Sequence, residues 1–473
     1  MEQIPFDPVD PKAALSQLPH TAAVFALYGA DAHAEPYIGR TPNIRARLER
    51  LLLPSEKHPR RLQLAARVRR IEYRLTGSEF ESLLAQFSLI EEAYGARACE
   101  RMHLRMPAFV RFLGGNPYPR ITVTNRPSLR EADWSYGPFP SRVAAERYAE
   151  EALKLYLLRR CTFDLDPDPG YPGCVYSEMK MCLAPCYKGC TDERYAEEAA
   201  AVQTFFATRG ESRLVTLRAE RETASANLEF ESAAQIHAQV QRVESVRALA
   251  SELVHPLSQL RAVILQASAQ SGEVAIFLFA NGLLRGPVAF STLGMRIQNE
   301  QSGSTSLFAQ PLAIEPVPEE QATGIREQGT EDEGPRDQGN EGTRDQGTKG
   351  PEDKPGAAEA LKGHDFSRAV TGMAKNAGAS APGGNAAPTR LACSALESRL
   401  EAALAGLAEK TASPSATIRQ GHLALLKRWY YRPEARRTGE IFFPDEDGHW
   451  PVRSILRGIG RVAAKMLVST GQP

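Results

Sequence analysis

The residues best suited to chemistry in this chain are cysteines. The stretch CTFDLDPDPGYPGCVYSEMKMCLAPC places Cys161, Cys174, Cys182 and Cys186 with twelve, seven and three residues between them, and Cys190 follows. Pro167, Pro169, Gly170, Pro172 and Gly173 make the first interval a loop, because proline fixes φ and glycine turns the chain. Four thiols gathered by turns can converge on one metal or cluster, whereas four spread along one helix could not. No secretory segment is read ahead of them, so a disulfide framework is not expected in a reducing cytosol. Thiolate ligation of zinc or of an iron–sulfur cluster is expected. The plainer alternative is a set of small buried side chains, since free Cys often packs as a small hydrophobe. Cys190 is an uncertain fifth candidate, and Cys99 and Cys393 stand apart.

The second chemical signal is arginine. Lys plus Arg and Asp plus Glu each number 57, so net charge points to no partner. The distribution does. From Arg40 to Arg74 there are eleven basic residues against Glu49, Glu56 and Glu72, and from Arg97 to Arg130 seven arginines against Glu100 alone. Arginine suits bidentate phosphate contact. A single basic run usually means a solvated helix face, but two runs flanking one small domain favour nucleic acid. No apolar stretch has membrane-spanning length and no signal peptide is read, so a soluble, cytoplasmic protein without membrane contact is expected.

A chain of 473 residues exceeds one compact core and predicts three or more domains. After a tail at residues 1–19, Ala22 to Tyr28 reads as a strand, Gly29 to Ala34 as a hairpin turn, and Pro36 to Gly39 as the returning strand. Asn43 to Leu53 is helical, with Ile44, Leu48, Leu51 and Leu52 on one face. Arg60 to Arg70 continues the basic helical character, Ile71 to Leu75 alternates as a strand, and Ser78 caps a helix from Glu79 to Glu92. Further on, Ser141 caps a helix from Arg142 to Leu158 whose face carries Val143, Tyr148, Leu155 and Leu158. Thr191-Asp192 starts another through Thr208, whose Ala199, Val202, Phe205 and Phe206 are expected to pack over the cysteines. Residues 211–250 are helical, and Asn281-Gly282 marks a hairpin turn between strands. Residues 299–392 lose periodicity and carry near-repeats such as Arg336-Asp337-Gln338-Gly339-Asn340; such polar, glycine-rich sequence predicts a disordered linker.

The pattern C-x7-C-L-A-P-C, with Tyr136-Gly137-Pro138-Phe139-Pro140-Ser141 and Leu158-Arg159-Arg160-Cys161 before it, closely resembles the UvrC family, the incision subunits of bacterial nucleotide excision repair. The resemblance spans roughly residues 20–300. It implies a [4Fe-4S] cluster on Cys161, Cys174, Cys182 and Cys186, with zinc as the alternative. The order β-β-α-(α)-β-α over residues 20–105 resembles the family's GIY-YIG nuclease domain. Leu228-Glu229-Phe230-Glu231 with Ala233 and Ala234 resembles the UVR motif, a helical hairpin that associates with UvrB. That implies partner contacts at Leu228, Phe230, Glu231 and Ala234, although His237-Ala238 replaces the usual Arg-Asp pair. A plain antiparallel coiled coil is the simpler reading of the same pattern.

Set against the nuclease motifs, Tyr37 and Arg47 remain as catalytic-type residues. Phe25 replaces a tyrosine, Arg40 a lysine and Leu51 a later tyrosine. Glu81 to Glu91 aligns with the metal-binding segment and puts Gln86 where the carboxylate should be. A neutral amide binds hard divalent metal far more weakly, so no divalent site is expected at Gln86, and Mg2+ matters only if the nuclease is active. Glu79, Glu81 and Glu91 offer no substitute at i−3 or i−4. Phosphate binding by Arg40, Arg45, Arg47 and Arg50 would survive, because it needs charge rather than metal.

The expected fold class is therefore α+β and multidomain: a GIY-YIG-like domain at 20–105, a helical cysteine-cluster domain at 106–210, a UVR hairpin at 211–250, and a C-terminal module at 255–298 and 393–473 split by the linker. The family's RNase H-like nuclease and terminal helix–hairpin–helix pair are not expected, although Gly458 to Ala464 weakly resembles the latter's G-x-G loop. The leading functional expectation is a repair protein that binds DNA and a UvrB-like partner with incision lost. The alternatives are an endonuclease making a single incision, or an iron–sulfur DNA-binding regulator.

Overall fold

The structure is a computed structural model that describes residues 1–31, 34–53, 64–293, 295, 386–409 and 415–470. The first module comprises Glu2–Pro5 (β1), Pro11–Ser16 (α1), Ala23–Gly29 (β2), Tyr37–Thr41 (β3), Ile44–Leu52 (α2), Leu64–Arg67 (α3), Val68–Leu75 (β4) and Glu79–Tyr94 (α4). Its strands form an antiparallel sheet in the order β1-β4-β2-β3. The central β2 is an unbroken apolar run because it is covered on both faces. The first residues are not a tail. β1 pairs with the edge of β4, and Ile4, Phe6, Leu15 and Leu18 join the core of Phe25, Ile44 and Leu48. Four strand residues and six helical ones are too short for a periodicity to show in sequence.

Capping follows the side-chain chemistry. Asn43 accepts from the Ala46 N–H at 3.0 Å and starts α2, which buries Ile44, Leu48 and Leu52 and leaves Leu51 half-buried. Ser78 accepts from the Glu81 N–H at 3.1 Å, and the Glu81 carboxylate accepts from the Gly77 N–H at 2.9 Å. That reciprocal cap starts α4.

The middle module adds Ala98–Arg101 (α5), Ala108–Phe112 (β5), Ile121–Thr124 (β6), Ser135–Phe139 (β7), Arg142–Leu153 (α6), Val175–Glu178 (α7), Asp192–Ala207 (α8), Glu211–Ala226 (α9), Phe230–Arg247 (α10) and His255–Pro256 (β8). It is not purely helical: β6-β5-β7-β8 form a sheet beneath α6 and α8. Helix α6 stops at Leu153, whose carbonyl accepts from Arg160 Nη2 at 2.8 Å. It buries Ala145, Tyr148, Ala149 and Ala152, while Val143 lies on the opposite side and is exposed. Phe206 of α8 stacks on Tyr136 and Phe205 meets Tyr156, so these rings pack on the sheet and α6 rather than over the cysteines. Helices α9 and α10 form an antiparallel pair closed by Leu214, Leu217, Val240, Val243 and Val246. Ion pairs Glu211–Arg247 at 2.7 Å and Arg218–Glu244 at 3.0 Å cross it.

The last module comprises Ala262–Ala267 (β9), Glu273–Ala280 (β10), Leu283–Ser291 (β11), Ala386–Ala408 (α11), Ala416–Tyr430 (α12), Glu440–Phe442 (β12) and Val452–Thr470 (α13). The β10–β11 turn is Asn281-Gly282, both with positive φ, as a two-residue hairpin requires. Sheet order β11-β10-β9-β12 shows that segments on either side of residues 299–392 complete one sheet. The expected linker lies outside the described residues up to 385, and helix α11 begins at Ala386, ahead of the expected restart. Gly458 to Ala464 is no loop. It lies inside α13, where a Cβ at Gly458 would come within 2.5 Å of the Phe442 ring, so glycine there serves helix-on-strand packing. No helix among the described residues is long and apolar enough to cross a membrane.

Helix α4 joins the first and last modules. Its Phe80, Leu83, Leu84, Phe87 and Ile90 share one core with Ile264, Phe277, Phe279, Leu423 and Trp429. A Cβ at Gly421 of α12 would lie 2.0 Å from Phe87, and one at Gly77 would lie 2.1 Å from the Ser268 backbone. Both contacts need glycine.

Candidate functional site

The cysteine loop is built around a buried arginine. Arg159 is 2% exposed; its Nε donates to the Tyr118 carbonyl at 2.9 Å and its Nη1 to the Phe163 carbonyl at 2.9 Å. The same Nη1 donates to Cys161 Sγ at 3.5 Å. Behind it, Tyr195 of α8 accepts from the Arg159 N–H at 3.2 Å and donates to the Pro119 carbonyl at 2.8 Å. No carboxylate pairs with Arg159 among the described residues, although a buried charge left unpaired is costly. The loop closes on itself through Asp168 N–H to the Cys186 carbonyl at 2.9 Å and Leu183 N–H to the Leu157 carbonyl at 2.9 Å. Cys182 Sγ accepts from the Ala184 N–H at 3.3 Å, with Ala184 held in the left-handed region.

The thiols sense one another. Burial first, then the Cys161, Cys186 and Cys174 thiols, push the Cys182 thiol up to about 11. Burial and Cys174 likewise raise Cys186. Cys190 is raised by burial and by Asp192, and it packs at the margin of the middle core. Burial thus favours the neutral thiol at Cys182 and Cys186, with Cys161 and Cys174 close enough to act on both. Cys99 lies elsewhere, donating to the Thr417 carbonyl at 3.6 Å. The side chain of Cys393 lies outside the described residues.

At the tip of the α9–α10 hairpin, Leu228 is 71% and Phe230 67% exposed. Leu228 sits in the turn rather than on a helix, and Glu231 and Ala234 also face solvent. These side chains take no part in the seam between the helices, which is filled by other residues.

The N-terminal face is different. Phe25 is fully buried, paired with Gly39 in the sheet, and its ring lies 6.2 Å from that of half-exposed Tyr37. Arg47 is half-buried with no polar side-chain partner among the described residues. Arg45 is committed to the carbonyls of Ser16 and Leu18, closing the end of α1, and Arg50 Nε donates to Ala46 of its own helix at 3.1 Å. Gln86 is half-buried on α4. Glu79, expected to be off its face, is two turns before it and shares that face with Ser82. Glu79 and Ser82 line a cleft of about 520 Å³ with Arg40, Thr41, Gly77 and Ser78. The Glu79 carboxylate is occupied, however: Arg432 reaches it in a fork at 2.7 and 2.8 Å and Arg40 at 3.4 Å. The Arg432 hydrogen bonds, with help from the Arg40 and Arg428 charges, hold its carboxyl down at about 2. Glu81 is buried in the α4 cap, and burial raises its carboxyl.

Residues 109–205 match the family model described as UvrC/Cho excinuclease, middle domain, and residues 211–246 match the UvrB/uvrC motif. Over these two segments the chain resembles UvrC proteins. The UvrABC system protein C of Shigella dysenteriae serotype 1 (strain Sd197) is 27% identical over 241 residues, 51% of this chain and 41% of that protein. That of Aliivibrio salmonicida (strain LFI1238) is 28% identical over 244 residues, 51% of this chain and 39% of its own length. The chain therefore matches about two fifths of the length of these curated relatives. No solved structure matches it.

Sequence reasoning missed Arg159, Tyr195, Glu79 and Arg432 as site residues. Arg159 was within reach, two residues before Cys161 in the quoted signature. Arg432 was not: it lies 353 positions from Glu79, and nothing local marks the pair.

Proposed function

We propose that this UvrC-like chain serves nucleotide excision repair by binding DNA and a UvrB-like protein, with an iron–sulfur cluster on Cys161, Cys174, Cys182 and Cys186, and with incision lost. The observation that carries the loss is the state of the acids around Gln86. Glu79 is neutralised by arginines, Glu81 is buried in a helix cap, and Gln86 itself is neutral. In the DNA-free state, the carboxylates of Glu79 and Glu81 are both engaged by the protein, which leaves neither preorganised to hold the metal that stabilises a departing alkoxide. Arg47 keeps an unpaired guanidinium, the feature phosphate binding needs.

The cysteine loop fits an anionic thiolate centre. Arg159 supplies buried positive charge without a carboxylate counter-ion and touches Cys161, and the free thiols of Cys174, Cys182 and Cys186 on the same loop would supply the other donors. When bound, a cluster contributes a cross-link between loop segments and a redox-active centre. Arg159 then orients Cys161 and offsets negative charge, while Tyr195 holds the Arg159 backbone. The exposed hairpin tip with Leu228 and Phe230 suits an apolar anchor for a partner.

A supercoiled-plasmid nicking assay with Mg2+ and Mn2+, run beside a DNA-binding titration, tests the reading. Binding that weakens with salt and negligible nicking are expected. Gln86→Glu alone is expected to regain little, since Phe25 lacks a hydroxyl and is fully buried. Robust nicking by the unaltered protein, abolished by Arg47→Ala, would overturn the loss of incision and favour a one-incision endonuclease.

A further inference from the structure

The arginines around Glu79 come from opposite ends of the chain. Arg40 lies on β3, Arg428 in the last turn of α12, and Arg432 just beyond that helix. Two aromatic neighbours fix their approach. Phe80 follows Glu79, Trp429 follows Arg428, and the two rings meet at 5.4 Å in a shared core. Trp429 Nε1 also donates to the Thr438 carbonyl at 2.9 Å, which ties the end of α12 to the segment leading into β12. Arg40 and Arg432 therefore meet at Glu79, which lines the cleft, with Arg428 close enough to act on its charge.

The charges do not balance. Three guanidinium groups face one carboxylate, and Arg428 is exposed with no direct partner among the described residues. The fork that Arg432 makes to Glu79 is the geometry a guanidinium makes equally to a phosphate. The adjoining cleft of about 520 Å³ is open to solvent, polar-lined and bordered by Arg40 and Ser78.

We propose that Arg40, Arg428 and Arg432 form one binding site for a backbone phosphate of DNA, and that Glu79 occupies it as an internal substitute when DNA is absent. The proposal rests on the DNA-binding reading above and extends it to the C-terminal module. Incoming phosphate displaces the Glu79 carboxylate from the Arg432 fork. The carboxylate is then repelled into solvent, so each binding event must break an ion pair first. Glu79 accordingly weakens DNA binding, and removing its charge strengthens it.

The test measures binding of a labelled DNA duplex to the full chain by fluorescence polarisation across a KCl series. Glu79→Gln is expected to tighten binding about three- to tenfold, whereas Glu150→Gln, an equal charge change on exposed α6, leaves it within twofold. Arg428→Gln with Arg432→Gln is expected to weaken binding roughly tenfold or more and to lower the salt slope by about one, as loss of one phosphate contact removes about 0.9. Glu79→Gln added to that double variant then has little further effect, because the fork it blocked is gone. Thermal unfolding of each variant confirms that it is folded. Binding that ignores Arg428 and Arg432 while still falling with salt overturns this site alone. Absence of binding by every variant at the lowest salt overturns the DNA-binding reading with it. Inorganic phosphate that raises the melting temperature through Arg432 without any arginine effect on DNA would assign the site to free phosphate and overturn the backbone assignment.

Discussion

The cysteine loop and the N-terminal face both carry residues suited to chemistry, and they differ in whether the protein satisfies them internally. In the cysteine loop it does not. Buried thiols are pushed toward the neutral form, and a 2%-exposed arginine has carbonyls and a sulfur for partners but no carboxylate. On the N-terminal face nearly everything is satisfied. Arg45 closes a helix end, Glu81 a helix start, and Glu79 is forked by Arg432, with Arg47 the exception. Buried polar groups in native proteins find partners, so the shortfall supports the proposed ligand at the cysteines, and the internal pairing of Glu79 and Glu81 supports the proposed loss of the metal site.

The largest effect expected from that contrast is loss of the proposed iron–sulfur cluster. Single changes of Cys161, Cys174, Cys182 or Cys186 to Ser should remove the visible absorbance and bound metal, while Cys99→Ser retains both. Equal loss for Cys99→Ser would break the comparison, pointing to general instability instead of a defined donor set. Next is the hairpin tip. Leu228→Ser with Phe230→Ser should lower capture of a UvrB-like protein by a hundredfold or more and leave the melting temperature within about 2 °C, since both side chains are exposed. Undiminished capture would place the partner surface elsewhere.

The third test asks whether α4 has become structural. Phe87 is 1% exposed and packs against Gly421 and His422 of the last module. Phe87→Ala should cost about 3–5 kcal/mol in a denaturant titration, the usual range for a buried aromatic. A loss under 1 kcal/mol would mean that the first and last modules are only loosely joined, and the N-terminal face would then be free to work alone.

Much of this was legible in the sequence because it is local. Asn43, Ser78, Ser141 and Thr191 all cap the helices their spacing announced, and Asn281-Gly282 makes its turn. The cysteine loop was legible for the same reason: proline, glycine and thiol act within a few residues of one another. What was not legible is pairing across the chain. The face of α4 carrying Phe80 and Phe87 reads as an ordinary buried face, and only folding reveals that its partner is the module beyond residue 386. The committed state of Glu79 depends on that same packing. Gln86 is neutral by its chemistry, and Glu79 shares its face from seven positions away, two full turns and beyond the i−3 and i−4 neighbours.

The smallest predicted effect separates the two regions by pH. His422 is 8% exposed, and its Nδ1 accepts from the Leu284 N–H at 3.0 Å, so that nitrogen must be unprotonated. Burial lowers its pKa to about 4. A group whose folded pKa lies below its unfolded value stabilises above the unfolded pKa, here about 6.5, and loses that stability as pH falls through the folded value. The His422 contribution should therefore be complete at pH 7.5 and decline between about pH 6.5 and 4, by roughly 3 kcal/mol in all. His255, also lowered to about 4 by burial, declines over the same window, so the comparison has to be made with a variant. His422→Gln keeps an acceptor for Leu284 but does not titrate, and should flatten the unfolding free energy between pH 6.5 and 5 relative to the unaltered protein. Glu79 titrates in a different window, its carboxyl held at about 2, so its contribution persists through pH 5 and is lost below about 4.5. If His422→Gln leaves the slope between pH 6.5 and 5 unchanged, the interface around α4 is open to water, and Phe87 and His422 do not seal the two modules together.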